Sequence, residues 1–196
     1  CEGRTGLKVA KHGNGGATSK SGSADVLEAA GVNLGLSADG VAKCIEEIGV
    51  GFMFAPAHHS AMKHVMAARK EIGVRTVFNL LGPLTNPAAA PNQVMGVYDV
   101  GLIPVLLEVL KSLGSHHVLI VAAEDGLDEI SIAASTTVGE LKEGVITHYH
   151  VNPSDFGLDM YADYNSLQIN SAEESLAMLK SALSNTNKAA ADIVAL

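Results

Sequence analysis

Apolar positions along the chain follow two rhythms. Short, near-continuous apolar runs alternate with longer stretches in which apolar residues recur every three or four positions. The first rhythm belongs to buried strands and the second to amphipathic helices. Gly6–Ala10, Gly51–Pro56, Thr76–Phe78 and Val94–Tyr98 read as strands, the second of them entering a loop. His117–Ala122 is the kind of apolar run that is buried on both faces, and Val145–Val151 alternates as a strand does. Between them, Ser23–Gly31 is a short helix with a hydroxyl at its start and glycine at its end. Ser37–Gly49 repeats that scheme, with Val41, Cys44, Ile45 and Ile48 at helical spacing. Ala61–Glu71, Ile103–Leu113 and Ser171–Leu183 are further helices, the last opened by Ser171 and Glu174 at capping-box spacing. Asn79–Pro87 holds two prolines, a glycine and two asparagines and reads as turn. Strand and helix in alternation predict an α/β class with a mostly parallel central sheet flanked by helices. No internal repeat and no low-complexity tract interrupts it.

Composition sharpens this picture. Hydrophobic residues make up 47% of 196, enough for a sizeable core, while Trp is absent and aromatics are 4%, so Ala, Val, Leu and Ile must fill it. Net charge is −8, which disfavours broad binding to nucleic acid. The charge is uneven. The first twenty residues carry Arg4, Lys8, Lys11 and Lys20 against Glu2 alone, a local +3 that leaves −11 for the remainder. Such a segment suits a small anion better than a polyanion. Two cysteines, Cys1 and Cys44, make neither a disulfide framework nor a zinc pattern, and Cys44 reads as a core thiol. No apolar run reaches the ~20 residues of a membrane span, and no secretory signal pattern is present. A reduced cytoplasmic setting without membrane contact is the expectation.

The densest chemistry lies at Lys11-His12-Gly13-Asn14, followed by Gly15-Gly16-Ala17-Thr18-Ser19-Lys20-Ser21-Gly22-Ser23. Glycines let backbone approach a ligand closely, and loop N–H groups with a lysine attract phosphate. The loop follows a predicted strand, at the strand end where α/β proteins hold ligands. Asp128-Glu129, in a loop after an apolar strand, offers oxygen ligands of the sort hard Mg²⁺ takes. Arg69 carries a planar fork suited to a carboxylate. His148 and His150 share a strand face and, with His116 or His117, hold ring nitrogens that zinc accepts, but no acidic or Cys partner stands at a spacing that would complete such a site, and zinc is not expected.

The order of these motifs resembles anthranilate phosphoribosyltransferases. Lys-His-Gly-Asn, then Ser-Gly-Ser-Ala-Asp-Val-Leu-Glu-Ala, Phe54-Ala-Pro56 with His59, Arg69 through Asn79, Leu81-Gly-Pro-Leu-Thr-Asn-Pro87, Gly126-Leu-Asp-Glu129 and Asp155-Phe-Gly157 occur in the family's order across essentially the whole chain. The resemblance implies a nucleoside phosphorylase/phosphoribosyltransferase-like fold. It also implies transfer of the phosphoribosyl group of phosphoribosyl pyrophosphate to anthranilate, the second step of tryptophan biosynthesis from chorismate. Lys11, His12, Gly13, Asn14, Gly15, Gly16, Ala17, Thr18, Ser19 and Ser23 then match the phosphoribosyl pyrophosphate segment, Asn14 and Arg69 the anthranilate positions, and Asp128 and Glu129 the Mg²⁺ pair. Asn79–Pro87 would wall the aromatic substrate. No residue is assigned as acid or base, His12 included. Two positions depart from the family: Gly15 stands where arginine is usual, and Ala57 where a basic or larger residue is common.

The resemblance further implies that residues 1–196 are the central α/β catalytic domain of a longer homodimeric enzyme, cut at both ends. An N-terminal helical domain and an earlier glycine-rich loop would be missing. Two rivals stand beside this reading: a pyrimidine nucleoside phosphorylase-like enzyme, and a non-catalytic paralogue that binds nucleic acid. Arg69 and the Leu81–Pro87 motif favour the transferase over the first, and net charge opposes the second.

Overall fold

The computed structural model describes residues 6–15, 21–58 and 78–196. Backbone contacts divide the chain into two units, Cys1–Ala89 with Ile169–Leu176, and Ala90–Gln168 with Ala177–Leu196. Gly16, Ala17, Thr18, Ser19 and Arg69 lie outside the described residues, as do the expected helix over 61–71 and most of the expected strand over 76–78.

In the first unit, Val9–Gly13 (β1) and Val50–Phe54 (β2) pair in parallel, with Lys11 opposite Phe52 and Gly13 opposite Phe54. The connection between them carries Ser23–Ala29 (α1) and Ala38–Ile48 (α2). Two capping groups fix α2: Ser37 Oγ accepts the Gly40 N–H at 3.2 Å, and Gly49 closes the helix in the left-handed region. Gly51 brings that helix onto β2, since a Cβ there would lie 2.6 Å from Ile45 Cγ1 and 2.8 Å from Val41 Cγ1. Cys44 is half-buried rather than a core residue.

Three local expectations change here. β1 begins three residues later than the apolar pattern predicts, so Lys11, His12 and Gly13 belong to the strand itself. A short helix, Ala55–His58 (α3), replaces the loop after β2. Phe78–Leu84 (α4) is helical where the Gly and Pro content predicts turn, and Phe78 is thereby helical and not strand. Pro83 sits in the last turn of α4, where its missing N–H forgoes the single bond back to the carbonyl of Asn79, and Thr85 Oγ1 donates to the Leu81 carbonyl at 2.7 Å to close the end.

The second unit is built on a four-stranded sheet of Asn92–Gly96 (β3), His117–Ala123 (β4), Thr136–Lys142 (β5) and Val145–Val151 (β6), in that order. β3 and β4 are parallel, whereas β5 and β6 are antiparallel neighbours, so this sheet is mixed within the α/β class. Ile103–Ser112 (α5) lies over one face and buries Ile103, Leu106, Leu107 and Leu110. Gly139 of β5 makes room for it, because a Cβ there would overlap Ile103 Cγ2 and lie 2.7 Å from Leu107 Cδ1. Val118, Ile120 and Leu141 complete this core.

The helix Ala172–Leu183 (α6) opens with Ser171 Oγ accepting the Glu174 N–H at 3.2 Å. The return arm of that cap is displaced by one residue, Glu174 accepting from Asn170 N–H at 2.7 Å. Lys188–Ala195 (α7) ends the chain. Among the described residues no helix is long and apolar enough to cross a membrane.

Candidate functional site

The carboxyl end of β1 and the start of α1 fold against each other. Gly13 is the contact point: a Cβ on it would lie 2.8 Å from Ser23 Oγ and 3.0 Å from the Phe52 ring. Glycine therefore permits the Ser23 hydroxyl to stand directly on the strand. One residue on, the Asn14 carbonyl accepts the Ala24 N–H at 3.3 Å, and Asn14 Oδ1 accepts the Gly15 N–H at 2.8 Å. The Asn14 amide thus keeps its N–H₂ for a ligand while its oxygen orders the turn. Asp25 reaches back to accept the Gly22 N–H at 2.7 Å. Two N–H groups at the start of α1, those of Gly22 and Ala24, are consequently satisfied within the fold.

Lys11 is exposed and His12 half-buried at this strand end. Asn86 of the Leu81–Pro87 motif donates from Nδ2 to the Ala10 carbonyl at 3.1 Å, which ties that motif to β1 immediately before Lys11. An open cleft of about 440 Å³ adjoins the strand end, lined by Asn14, Gly15, Asp25, Glu28, Phe54 and Ala57 among others. Gly15 and Ala57, the two departures from the family pattern, line this one cleft. With arginine absent at 15, its charged lining among the described residues is the carboxylates of Asp25 and Glu28. Asp25 was not singled out from sequence. Its signal was its place three residues after Gly22, where a carboxylate closes on a helix-start N–H.

Asp128 and Glu129 belong to the second unit, in the loop from β4 to β5, and both are exposed. That loop is tightly determined. Asp125 accepts the Leu127 N–H at 3.2 Å on Oδ1 and the Ser131 hydroxyl at 2.6 Å on Oδ2. Ser131 is fully buried, and its N–H is taken by Thr136 Oγ1 at 3.1 Å. Neither oxygen of Asp125 is therefore idle. Among the described residues no group of three or more His, Cys, Asp or Glu could enclose a metal. Two adjacent exposed carboxylates still fit Mg²⁺, which keeps several waters and takes its other oxygens from a phosphorylated substrate.

Among the described residues, the histidines do not assemble a zinc site. His148 and His150 face the α5 side of the sheet, His150 Nδ1 lying 3.3 Å from Thr137 Oγ1. His117 points from the opposite face, where its Nε2 meets Glu140 Oε1 at 2.7 Å. The register puts His117 beside Lys142 and His148 beside Gly139, three residues apart on β5 and so on opposite faces. Tyr149 donates to the other Glu140 oxygen at 3.2 Å, and burial, helped by that carboxylate, pushes its phenol up.

The description "Glycosyl transferase family, a/b domain" matches residues 3–196. The chain belongs to this family. It is similar to an anthranilate phosphoribosyltransferase of Hydrogenovibrio crunogenus, 61% identical over 97% of this chain and 56% of that protein. One from Bordetella avium is 56% identical over 97% of this chain and 55% of its own length. The chain thus spans about half the length of the curated relatives it matches. Among solved structures, the anthranilate phosphoribosyltransferase of Thermus thermophilus superposes with a TM-score of 0.87 at 43% identity, covering 97% of this chain and 56% of that one. The Saccharomyces cerevisiae enzyme in complex with PRPP and Mg gives 0.82 at 32% identity, covering 91% and 49%. The family's α/β architecture is accordingly that of this chain.

Proposed function

We propose that the protein carrying this chain transfers the phosphoribosyl group of phosphoribosyl pyrophosphate to the amine of anthranilate, in tryptophan biosynthesis. The observation that carries the reading is the 61% identity to a protein of that name, sustained over 97% of this chain. The amine nitrogen bonds to the anomeric carbon as the bond from that carbon to the pyrophosphate oxygen breaks. The amine's proton leaves to solvent. Catalysis comes from positioning and charge stabilisation, with no side chain cast as acid or base.

In this reading Lys11, His12, Gly13, Asn14, Gly15 and Ser23, with Gly16, Ala17, Thr18 and Ser19, hold the phosphoribosyl donor. The close seat of Ser23 on Gly13 supports this, since it gathers a hydroxyl and bare backbone at one strand end. Asn14 presents its N–H₂ to anthranilate, and Arg69 pairs with the anthranilate carboxylate. Asp128 and Glu129 would hold Mg²⁺, which supplies charge neutralisation of the departing pyrophosphate. The active protein is a cytoplasmic homodimer, and residues 1–196 form one catalytic domain within it.

Anthranilate fluorescence tests the reading. Adding phosphoribosyl pyrophosphate and Mg²⁺ to the full-length protein is expected to quench it. In the Asp128→Ala/Glu129→Ala variant the rate should fall by about 10²-fold or more, as when groups that stabilise transition-state charge are removed. A folded wild-type protein that leaves anthranilate untouched but splits a pyrimidine nucleoside with phosphate would move the assignment to the phosphorylase.

A further inference from the structure

The acidic pair is held by a contact that no motif in the sequence announces. Gly96, the last residue of β3, lies directly under the main chain of Asp128. A Cβ on Gly96 would overlap the Asp128 carbonyl oxygen and stand 2.6 Å from its carbonyl carbon. An unstrained pair of carbons needs roughly 3.5–4.0 Å, so any side chain at 96 drives the loop away by about 1 Å. Backbone conformation does not demand this glycine, for Gly96 is absent from the residues with positive φ. A glycine inside a strand costs pairing stability and marks a place where another backbone comes close. Here the backbone that comes close is that of the proposed metal ligand.

The loop cannot retreat freely. Its far side is tied down by the Asp125–Ser131 hydrogen bond at 2.6 Å and by Ile132, which is fully buried. Its near side is pinned to β4, Ala123 N–H donating to the Leu127 carbonyl at 3.0 Å. Displacement at Asp128 must then be taken up between those two ties, at Asp128 itself and its neighbour Glu129. We propose that Gly96 is a positioning residue for the Asp128–Glu129 pair, the bare strand position on which that pair is seated. This rests on the reading of the pair as Mg²⁺ ligands.

Binding of Mn²⁺, a paramagnetic substitute for Mg²⁺, tests it. The full-length protein is titrated with Mn²⁺ in the presence of phosphoribosyl pyrophosphate, and free Mn²⁺ is read by electron paramagnetic resonance. Gly96→Ala is expected to weaken Mn²⁺ binding roughly 10–100-fold, the range seen when residues that orient metal ligands are lost. Its circular dichroism spectrum should stay that of the wild type. Ser131→Ala, which frees the loop from the other side, should weaken binding in the same direction. Gly96→Ala titrating as wild type, while Asp128→Ala/Glu129→Ala binds no Mn²⁺, overturns the inference alone. The double variant titrating as wild type overturns the metal reading, and the inference with it. Should Gly96→Ala fail to fold, Ser131→Ala decides: weakened binding supports the seated loop and unchanged binding overturns it.

Discussion

Single atoms set the tolerances at the proposed donor site. Gly13 and Ser23 are ten positions apart in sequence, yet a methyl on the first would stand 2.8 Å from the hydroxyl of the second. Gly13→Ala should push Ser23 off the strand end without touching the rest of β1. The expected outcome is a KM for phosphoribosyl pyrophosphate raised roughly tenfold, about 1.4 kcal/mol of lost binding, with kcat little changed. Steady-state kinetics at saturating anthranilate check this. Elsewhere, Asp192 Oδ2 accepts from Lys188 Nζ at 2.6 Å and from the Tyr161 hydroxyl at 2.7 Å. Lys188 first, and Tyr161 second, hold its carboxyl below the usual range. A carboxyl depressed in the folded state stabilises the fold above its unfolded pKa, about 4, and loses that contribution as pH falls through the folded value. Asp192→Asn should therefore melt lower than wild type at pH 7. The two curves should converge as acid protonates Asp192 below about pH 4, which calorimetry across pH resolves.

Elements were legible wherever one period dominated. α2, α5 and α6 carry clean helical spacing, and β4 and β6 read directly as apolar or alternating runs. β5 did not, because Thr136-Thr-Val-Gly-Glu-Leu-Lys142 mixes hydroxyls, glycine and charge, and its burial comes from the strands on both sides. That omission also hid the antiparallel half of the sheet. α4 was masked by its own Gly82 and Pro83, which read as turn but occupy a final helical turn. Gly139 shows why β5 looks unlike a strand: α5 needs its missing side chain. Gly139→Val should force Ile103 and Leu107 off their positions and cost roughly 1–3 kcal/mol despite the better strand propensity. A urea midpoint lowered at unchanged slope would register it. An unchanged midpoint would mean that α5 shifts without cost.

At the scale of the whole molecule, what sequence revealed of the candidate site was what lies contiguous in it. Lys11–Gly15 and Asp128-Glu129 each sit within a few residues, so their chemistry shows in the bare string. The Gly13–Ser23 seat and the support of Asp128 by Gly96 depend on a strand end meeting a helix start in one case and a loop in the other, and no spacing rule encodes them. Charge, by contrast, needs no fold to be read. Neutralising phosphates is what gives a protein affinity for any duplex, and the chain that would do so here carries −8, with local stretches of +3 in the first twenty residues and again at 61–75. A segment of +3 suits a single phosphorylated substrate, whereas a duplex brings many more phosphates to a chain of net negative charge. A labelled duplex titrated with the protein at physiological salt should thus show no retardation at micromolar protein, consistent with a dissociation constant weaker than about 10⁻⁴ M. A complex that forms at low salt and collapses steeply as salt rises would instead give the paralogue that binds nucleic acid its first support. Anthranilate quenching by the same preparation, with no such complex, would leave the basic segment to the phosphoribosyl donor.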